Sequence, residues 1–181
     1  MSPTPGSTVT VTTTYLHLPS RAHFRPATST TPDRLILAAR EPLVAFARFL
    51  YDVVGRDYYW IDRHAWSDAA WQNYLSHPGV TQLVRYLRGT PAGYIELNAA
   101  AEEPGTEIAY FGIIPVFQGR GLGKHLLSYG VQHAFDNGAE RVWLHTCTLD
   151  GPHARANYQA RGFIPYRTTM HEQVLPVQSD Y

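Results

Sequence analysis

The chain has 181 residues, 44% hydrophobic and 17% charged, with a net charge of zero. That length suits one domain with a sizeable core, and that composition excludes an intrinsically disordered protein. The charge balance gives no basic surplus of the kind nucleic-acid binders carry, and a single cysteine, Cys147, excludes an internal disulfide and any multi-cysteine zinc site.

In chain order, the N-terminal stretch lacks the charged and apolar regions of a secretory signal, and no run of 18 apolar residues predicts a membrane span, so a cytoplasmic protein without a membrane partner is expected. Residues 1–8 read as disordered, and 8–18, rich in β-branched residues, as a strand. A loop follows. Residues 34–40 read as a buried strand, and 43–54 as a helix whose apolar face is Leu43, Phe46, Ala47 and Leu50, ended by Gly55. Ser67 or Asp68 is placed to cap a short helix running to Leu75. Two strands joined at 89–91 form a hairpin, and 106–114 supplies a third strand. Residues 122–137 form a helix with Leu122, Leu126 and Tyr129 on one face, closed by Asn137 and Gly138. Another strand follows at 141–147. Asp150 is placed to cap a helix that ends at Arg161 and Gly162, and 163–175 supplies the last strand. The order β, β, α, α, β, β, β, α, β, α, β predicts an α+β fold with a mixed sheet.

The segment "IIPVFQGRGLGKHLL" carries the strongest functional signal. Three glycines at alternate positions, Gly119, Gly121 and Gly123, separate a strand from a helix. Helix N-termini leave backbone N–H groups unpaired and carry partial positive charge, and glycines bring those groups close to a phosphate. Arg120 and Lys124, the only lysine of the chain, add charge at the edge. A Walker A loop fails here because His125 follows Lys124, and a dinucleotide GxGxxG fails because Lys124 stands where the third glycine belongs.

The same segment resembles the acetyl-CoA signature of the GCN-related N-acetyltransferases, the GNAT superfamily. Gln118-Gly119-Arg120-Gly121-Leu122-Gly123 fits its Gln/Arg-x-x-Gly-x-Gly/Ala pattern. "ARANYQARGF" resembles its late helix, with Tyr158, Gly162 and Phe163 in the Tyr-x-x-x-Gly-Phe pattern. The resemblance is specific over 107–163 and architectural from 33 to 175. It divides the chain into an N-terminal extension of 1–32, with one strand, and a GNAT domain of 33–181. It implies a mostly antiparallel sheet flanked by helices, with splayed central strands. Gly151 and Asn157 depart from the usual pattern, which weakens any transfer of substrate identity.

The resemblance also implies chemistry. The glycine loop, 118–124, would hold the pyrophosphate of acetyl-CoA. Main-chain groups of Phe111 and Ile113 would pair with the pantetheine arm and polarise the thioester. Tyr158 would protonate the leaving thiolate, with packing on the helix as its alternative, and Asn157 would reach the pantetheine amides. Glu107, at the head of the strand, is the candidate base, with Glu96 and His145 as rivals. Tyr59 and Trp60, on an aromatic-rich loop, are candidates for stacking on the acceptor, whereas Trp66 and Trp71 read as packing. Cys147 reads as structural, and no metal is expected. The expected activity is direct acetyl transfer from acetyl-CoA to a primary amine of a small metabolite. The alternatives are a peptide or protein N-acetyltransferase and a non-catalytic acyl-CoA-binding module. The neutral charge and the aromatic loop speak against a polycationic acceptor. The last strand, 163–175, is a candidate for pairing across a homodimer.

Overall fold

A strand in the interior of a sheet pairs along both edges, and the β-branched run at the start of the chain finds both partners more than a hundred residues away. The computed structural model describes residues 6–27 and 35–175. In it, β1 (Thr8–Leu18) lies antiparallel to both β6 (Val142–Cys147) and β7 (Ile164–Val174). The strand of the 1–32 segment is therefore an interior strand of the sheet. Alternation buries Val11, Thr13, Leu16 and Leu18, and a register shift lets Thr14 turn inward as well.

The seven strands run β2-β3-β4-β5-β6-β1-β7. β2 (Ile36–Ala38), β3 (Val80–Leu87), β4 (Thr90–Asn98) and β5 (Thr106–Ile113) pair antiparallel in sequence order. The buried strand expected at 34–40 shortens to β2, of which only Ile36 is buried, and Arg34 lies outside the described residues. The same holds for residues 1–5 of the expected disordered tail. The β3–β4 hairpin turns through Arg88 and Gly89, both with positive φ, as a two-residue turn between twisted strands requires.

Helices α1 (Val44–Gly55) and α2 (Asp68–Leu75) pack on one face of β3, β4 and β5. The face of α1 that is buried is Ala47, Leu50, Tyr51 and Val54, and Leu43 is exposed because it is the N-cap. Gly55 ends α1 without a left-handed turn: the Trp60 ring lies where its Cβ would be. Ser67 caps α2 by accepting from the Ala70 N–H. Helices α3 (Leu122–Asp136) and α4 (Ala154–Ala160) cover the other face. Leu122, Leu126, Leu127, Val131, Ala134 and Phe135 of α3 enter the core, whereas Tyr129 points outward, because the buried stripe follows 122, 126, 130 and 134. The Leu, Val and Phe side chains among these each contribute about 1.5–3 kcal/mol on burial.

Among the described residues β5 and β6 are the only parallel neighbours, and their pairing stops after Thr106↔Val142 and Glu107↔Trp143. A register shift in the β4–β5 pairing leaves Ala109 without a partner, and β5 bends there. From Ile108 onward β5 and β6 part, and a cleft opens between them.

Candidate active site

The cleft between β5 and β6 encloses about 580 Å³. Its floor is β5 from Ile108 to Ile113, its far wall Leu144, His145 and Cys147, and its mouth the glycine loop and the start of α4.

The backbone of β5 is turned toward this space in alternation. Ile114 donates its N–H to the Ala92 carbonyl at 2.9 Å, which makes that opposed pair hydrogen-bonded. Antiparallel alternation then directs Gly112 and Tyr110 at β4, and the N–H and C=O of Ile113 and Phe111 away from β4, into the cleft. The Ile113 carbonyl is already taken, since Gln118 donates its side-chain amide to it at 3.0 Å. The same amide donates to the Tyr58 hydroxyl at 3.0 Å. Gln118 thus pins the glycine loop to the end of β5, and its own N–H is spent on Pro115.

Beyond Gln118 the loop is different. Gly119 and Gly121 have φ of 74° and 73°, left-handed values that side chains resist. Gly121 is the N-cap of α3, so the N–H groups that open this helix lack intrahelical partners. Nothing lies within 4 Å of a Cβ placed on Gly119, so the loop presents bare backbone to the mouth of the cleft. The Lys124 side chain folds back beside Gly121. Leu122 is buried beneath the loop. These features fit an oligophosphate: unpaired donors, a helix dipole, one ammonium group and no side chain in the way.

Tyr158 of α4 is buried, with its ring between Phe111 and Phe163, each 6.1 Å away by centroid. Among the described residues its hydroxyl has no hydrogen-bond partner. Burial, with Asp150 nearby, pushes its pKa far above the ordinary tyrosine value, so it keeps its proton. The turn after α4 explains its motif: Gly162 has φ of 96°, and a Cβ there would meet the His23 carbonyl oxygen at 1.9 Å. Asn157 lines the same wall.

Of the residues singled out from the sequence, Tyr59, Trp60, Phe111, Ile113, Gln118, Gly119, Gly121, Leu122, Gly123, Lys124, Asn157 and Tyr158 line this cleft. Arg120 does not; its guanidinium sits over the Phe117 ring, 5.6 Å from the centroid. Glu107 does not either. It lines a second cavity of about 730 Å³ on the α1–α2 face of the sheet, with His145 shared between the two. Glu107 is half-buried and lacks a hydrogen-bond partner among the described residues. Burial first, and the negative charge of Glu96 second, raise its carboxyl to about 7. Burial also lowers His145, which is therefore neutral near pH 7.

Two readings of the sequence are corrected. Asp150 does not cap α4, whose N-cap is His153; its carboxylate accepts from Thr146 Oγ1 at 2.5 Å and from the Cys147 N–H at 2.9 Å, closing the turn after β6. Glu96 is not free to serve as a base. It is fully buried and accepts from Arg63 through both oxygens, from Tyr74 at 2.8 Å and from Gln82 at 2.9 Å. The Arg63 guanidinium lies within 4.3–5.2 Å of the ring centroids of Trp66, Trp71, Tyr74 and Tyr110. Trp71 is a core residue here, and Trp66 packs against it. Two residues that the sequence reading left out of the site set also line the cleft: Tyr58, one of the aromatic cluster, which ties the loop by its hydroxyl, and Asp62, readable as an attractor of an ammonium group but set aside as a solvated loop acid, which accepts from the Tyr110 hydroxyl at 3.1 Å.

Residues 27–163 match the model of the acetyltransferase (GNAT) family. No curated protein matches the chain in sequence. Among solved structures, a GCN5-related N-acetyltransferase from Kribbella flavida superposes with a TM-score of 0.64 at 19% identity, over 92% of this chain and 60% of its own. One from Sphaerobacter thermophilus gives 0.64 at 15% identity, over 93% of this chain and 54% of its own. An aminoglycoside acetyltransferase, meta-AAC0020, from an uncultured soil metagenomic sample gives 0.60 at 17% identity, over 74% of this chain and 90% of its own. The chain thus spans about three fifths or less of the Kribbella and Sphaerobacter chains, and at these identities the likeness is one of fold. With the family model matched across most of its length, the chain belongs to the GNAT acetyltransferase family.

Proposed function

We propose that the protein is an acetyl-CoA-dependent N-acetyltransferase that moves an acetyl group to a primary amine of a small molecule by direct attack in a ternary complex. The observation that carries this reading is the junction of three parts in one cleft: the outward-facing backbone of Phe111 and Ile113, the unpaired N–H groups opening α3, and the buried phenol of Tyr158.

Acetyl-CoA, when bound, supplies an acyl group already activated as a thioester. The chain supplies the rest. The N–H groups of 119–124 and the Lys124 ammonium would hold the pyrophosphate, and Arg120, at the loop's edge, would add to the field. Phe111 and Ile113 N–H groups would orient the acyl arm and oppose charge growing on its carbonyl oxygen. Asn157 would hold the arm's amides. Tyr158, protonated through the neutral range, is placed to hand a proton to a departing sulfur. Glu107, with a carboxyl near 7, is tuned to take a proton from an ammonium group at the place where β5 and β6 separate, and neutral His145 is the alternative acceptor. Cys147 takes no part as a nucleophile: burial and Asp150 push its thiol up, which keeps it protonated and favours direct transfer over an acyl-enzyme.

The meta-AAC0020 structures, one of which is a complex with sisomicin, are aminoglycoside acetyltransferases, which makes amine acetylation a natural expectation for this fold. The deciding experiment pairs calorimetric titration of CoA with thiol release from acetyl-CoA across a panel of amines. Binding with turnover supports the enzyme. Binding without turnover on any amine identifies a non-catalytic acyl-CoA-binding module, and absence of binding overturns the assignment of the cleft.

A further inference from the structure

Bulky side chains rarely take left-handed backbone, and outside the β3–β4 turn the described residues hold one non-glycine that does: Tyr59, with φ of 55° and ψ of 42°. The reversal there sends its two aromatic neighbours in different directions. Trp60 turns back onto α1. Its N–H donates to the Gly55 carbonyl at 3.3 Å, its ring fills the place of a Gly55 side chain, and it packs against the Tyr110 ring, 4.8 Å away by centroid. Tyr58, at the end of the short helical turn Arg56–Tyr58, is left over the cleft. A strained residue persists only where its surroundings fix it, and here the fixed part is Trp60 and the projecting part is Tyr58.

Tyr58 reaches both rims of the cleft mouth. On the β5 side its hydroxyl meets the Gln118 amide at 3.0 Å. On the side of the turn after β6 its ring and hydroxyl lie 3.3–3.5 Å from where a Gly151 Cβ would stand, so a side chain at 151 would press on the ring. Gly151 is one of the two positions at which the chain departs from the usual GNAT pattern. The direction of the hydroxyl follows from elementary chemistry. The Ile113 carbonyl can only accept, so Gln118 presents its amide nitrogen there, and the same nitrogen faces Tyr58. The phenol oxygen therefore accepts from Gln118, and its own proton points away from that bond. Among the described residues this proton has no acceptor. Tyr58 comes from the α1 face of the sheet, and Asn157 of α4 lines the cleft from the opposite face.

We propose that Tyr58 is a clasp on the acyl donor: its ring closes the cleft mouth over the pantetheine arm, across from Asn157, and its hydroxyl, oriented by Gln118, donates to an amide carbonyl of that arm. This rests on the reading of the cleft as the acetyl-CoA site. The glycine loop then grips the phosphates and Tyr58 grips the arm. Release of the donor requires the Tyr58 ring to swing clear on the turn at Tyr59, while Trp60 stays anchored.

The test compares two ligands by calorimetry: CoA, and adenosine 3′-phosphate 5′-diphosphate, which is CoA without its arm. Tyr58→Phe keeps the ring and removes the proton donor. It is expected to weaken CoA by about threefold to tenfold, the range for one hydrogen bond, with the affinity for the nucleotide left at the parent's value. Tyr58→Ala removes the ring as well and should weaken CoA by about tenfold or more. Stopped-flow measurement should place that loss in faster dissociation, since the clasp closes only after the donor has entered. Unchanged nucleotide binding in both variants also shows that they are folded. Parent-like CoA affinity in Tyr58→Phe overturns the inference. Equal losses for CoA and the nucleotide overturn it too, because Tyr58 would then act only by bracing the glycine loop through Gln118. Failure of the parent itself to bind CoA would instead remove the reading of the cleft.

Discussion

Tyr158 and Glu107 differ in how their surroundings tune them, and the difference sets their pH behaviour. Tyr158 is pushed up by burial, so it should contribute no descending limb to a pH–rate profile near neutrality. Tyr158→Phe is expected to lower kcat by about 10²–10⁴-fold with CoA binding little changed, the usual range for loss of a general acid. Single-turnover rates together with calorimetry check this, and a full rate would leave Tyr158 a packing residue against Phe111 and Phe163. Glu107 is raised to about 7, so the deprotonated base accumulates as pH rises through that value, and the parent's kcat/KM should climb with it. Glu107→Gln should lose most of the rate and that rising limb, leaving only the ionisation of the amine itself. The sign for stability is opposite. A carboxyl whose folded pKa lies above its ordinary value favours the folded state at low pH and loses that contribution as pH rises from about 4.5 to about 7. The melting temperature of Glu107→Gln should therefore gain on the parent's between pH 5 and pH 8, and a constant gap would show the carboxyl to be solvated.

The glycine loop and the first turn of α3 act as one element, because the loop's left-handed residues aim the helix N-terminus at the cleft mouth. Position 119 allows a clean test of that element. Its φ is positive, which Asn and Asp tolerate better than other side chains, and its Cβ direction is empty. Gly119→Asn and Gly119→Asp should both fold. The Asp variant should bind CoA about tenfold or more weakly than the Asn variant at low salt, because it sets a carboxylate against the pyrophosphate. Raising ionic strength should narrow the gap. Equal affinities of the two variants, read by calorimetry, would place the phosphates elsewhere.

At the scale of the whole molecule, the buried Arg63–Glu96 pair joins the loop after α1 to the centre of β4. Both side chains are at most 5% exposed, and Tyr74, Gln82 and an aromatic box complete their environment. Arg63→Met would strand the Glu96 charge in the core and should destabilise the fold by about 3–5 kcal/mol. Urea denaturation at pH 7 measures it. A double variant, Arg63→Met with Glu96→Leu, should recover much of the loss, since removing both charges is far cheaper than removing one. The charge of Glu96 also reaches Glu107, so the pair that anchors the α1–α2 side of the sheet helps set the proton affinity at the reacting point.

Local sequence determined the fold class, the element order and the position of the glycine loop, because those depend on near neighbours. Alternation of apolar residues marks a strand, the glycines between β5 and α3 mark a backbone turn, and Ser67 marks a helix start, each within a few residues. The α+β fold and its family were legible for the same reason: the motif of 118–123 and that of 158–163 are short and contiguous. The sites of Glu107, Glu96 and Asp150 were not legible. A carboxylate at a strand head looks the same whether it faces the cleft, the core or a second cavity, and only the register that sets Glu107 between Asn98 and Trp143 put it in the last of these. Glu96 became unavailable through Arg63, Tyr74 and Gln82, none of them adjacent to it in sequence. The second cavity draws Tyr15, Asn98, Glu107, His145 and Arg167 from five strands, and β1 reaches it only by lying between β6 and β7. Pairing over such separations is decided by the closure of the whole sheet, where burial and register act together, and no short window of the chain contains it.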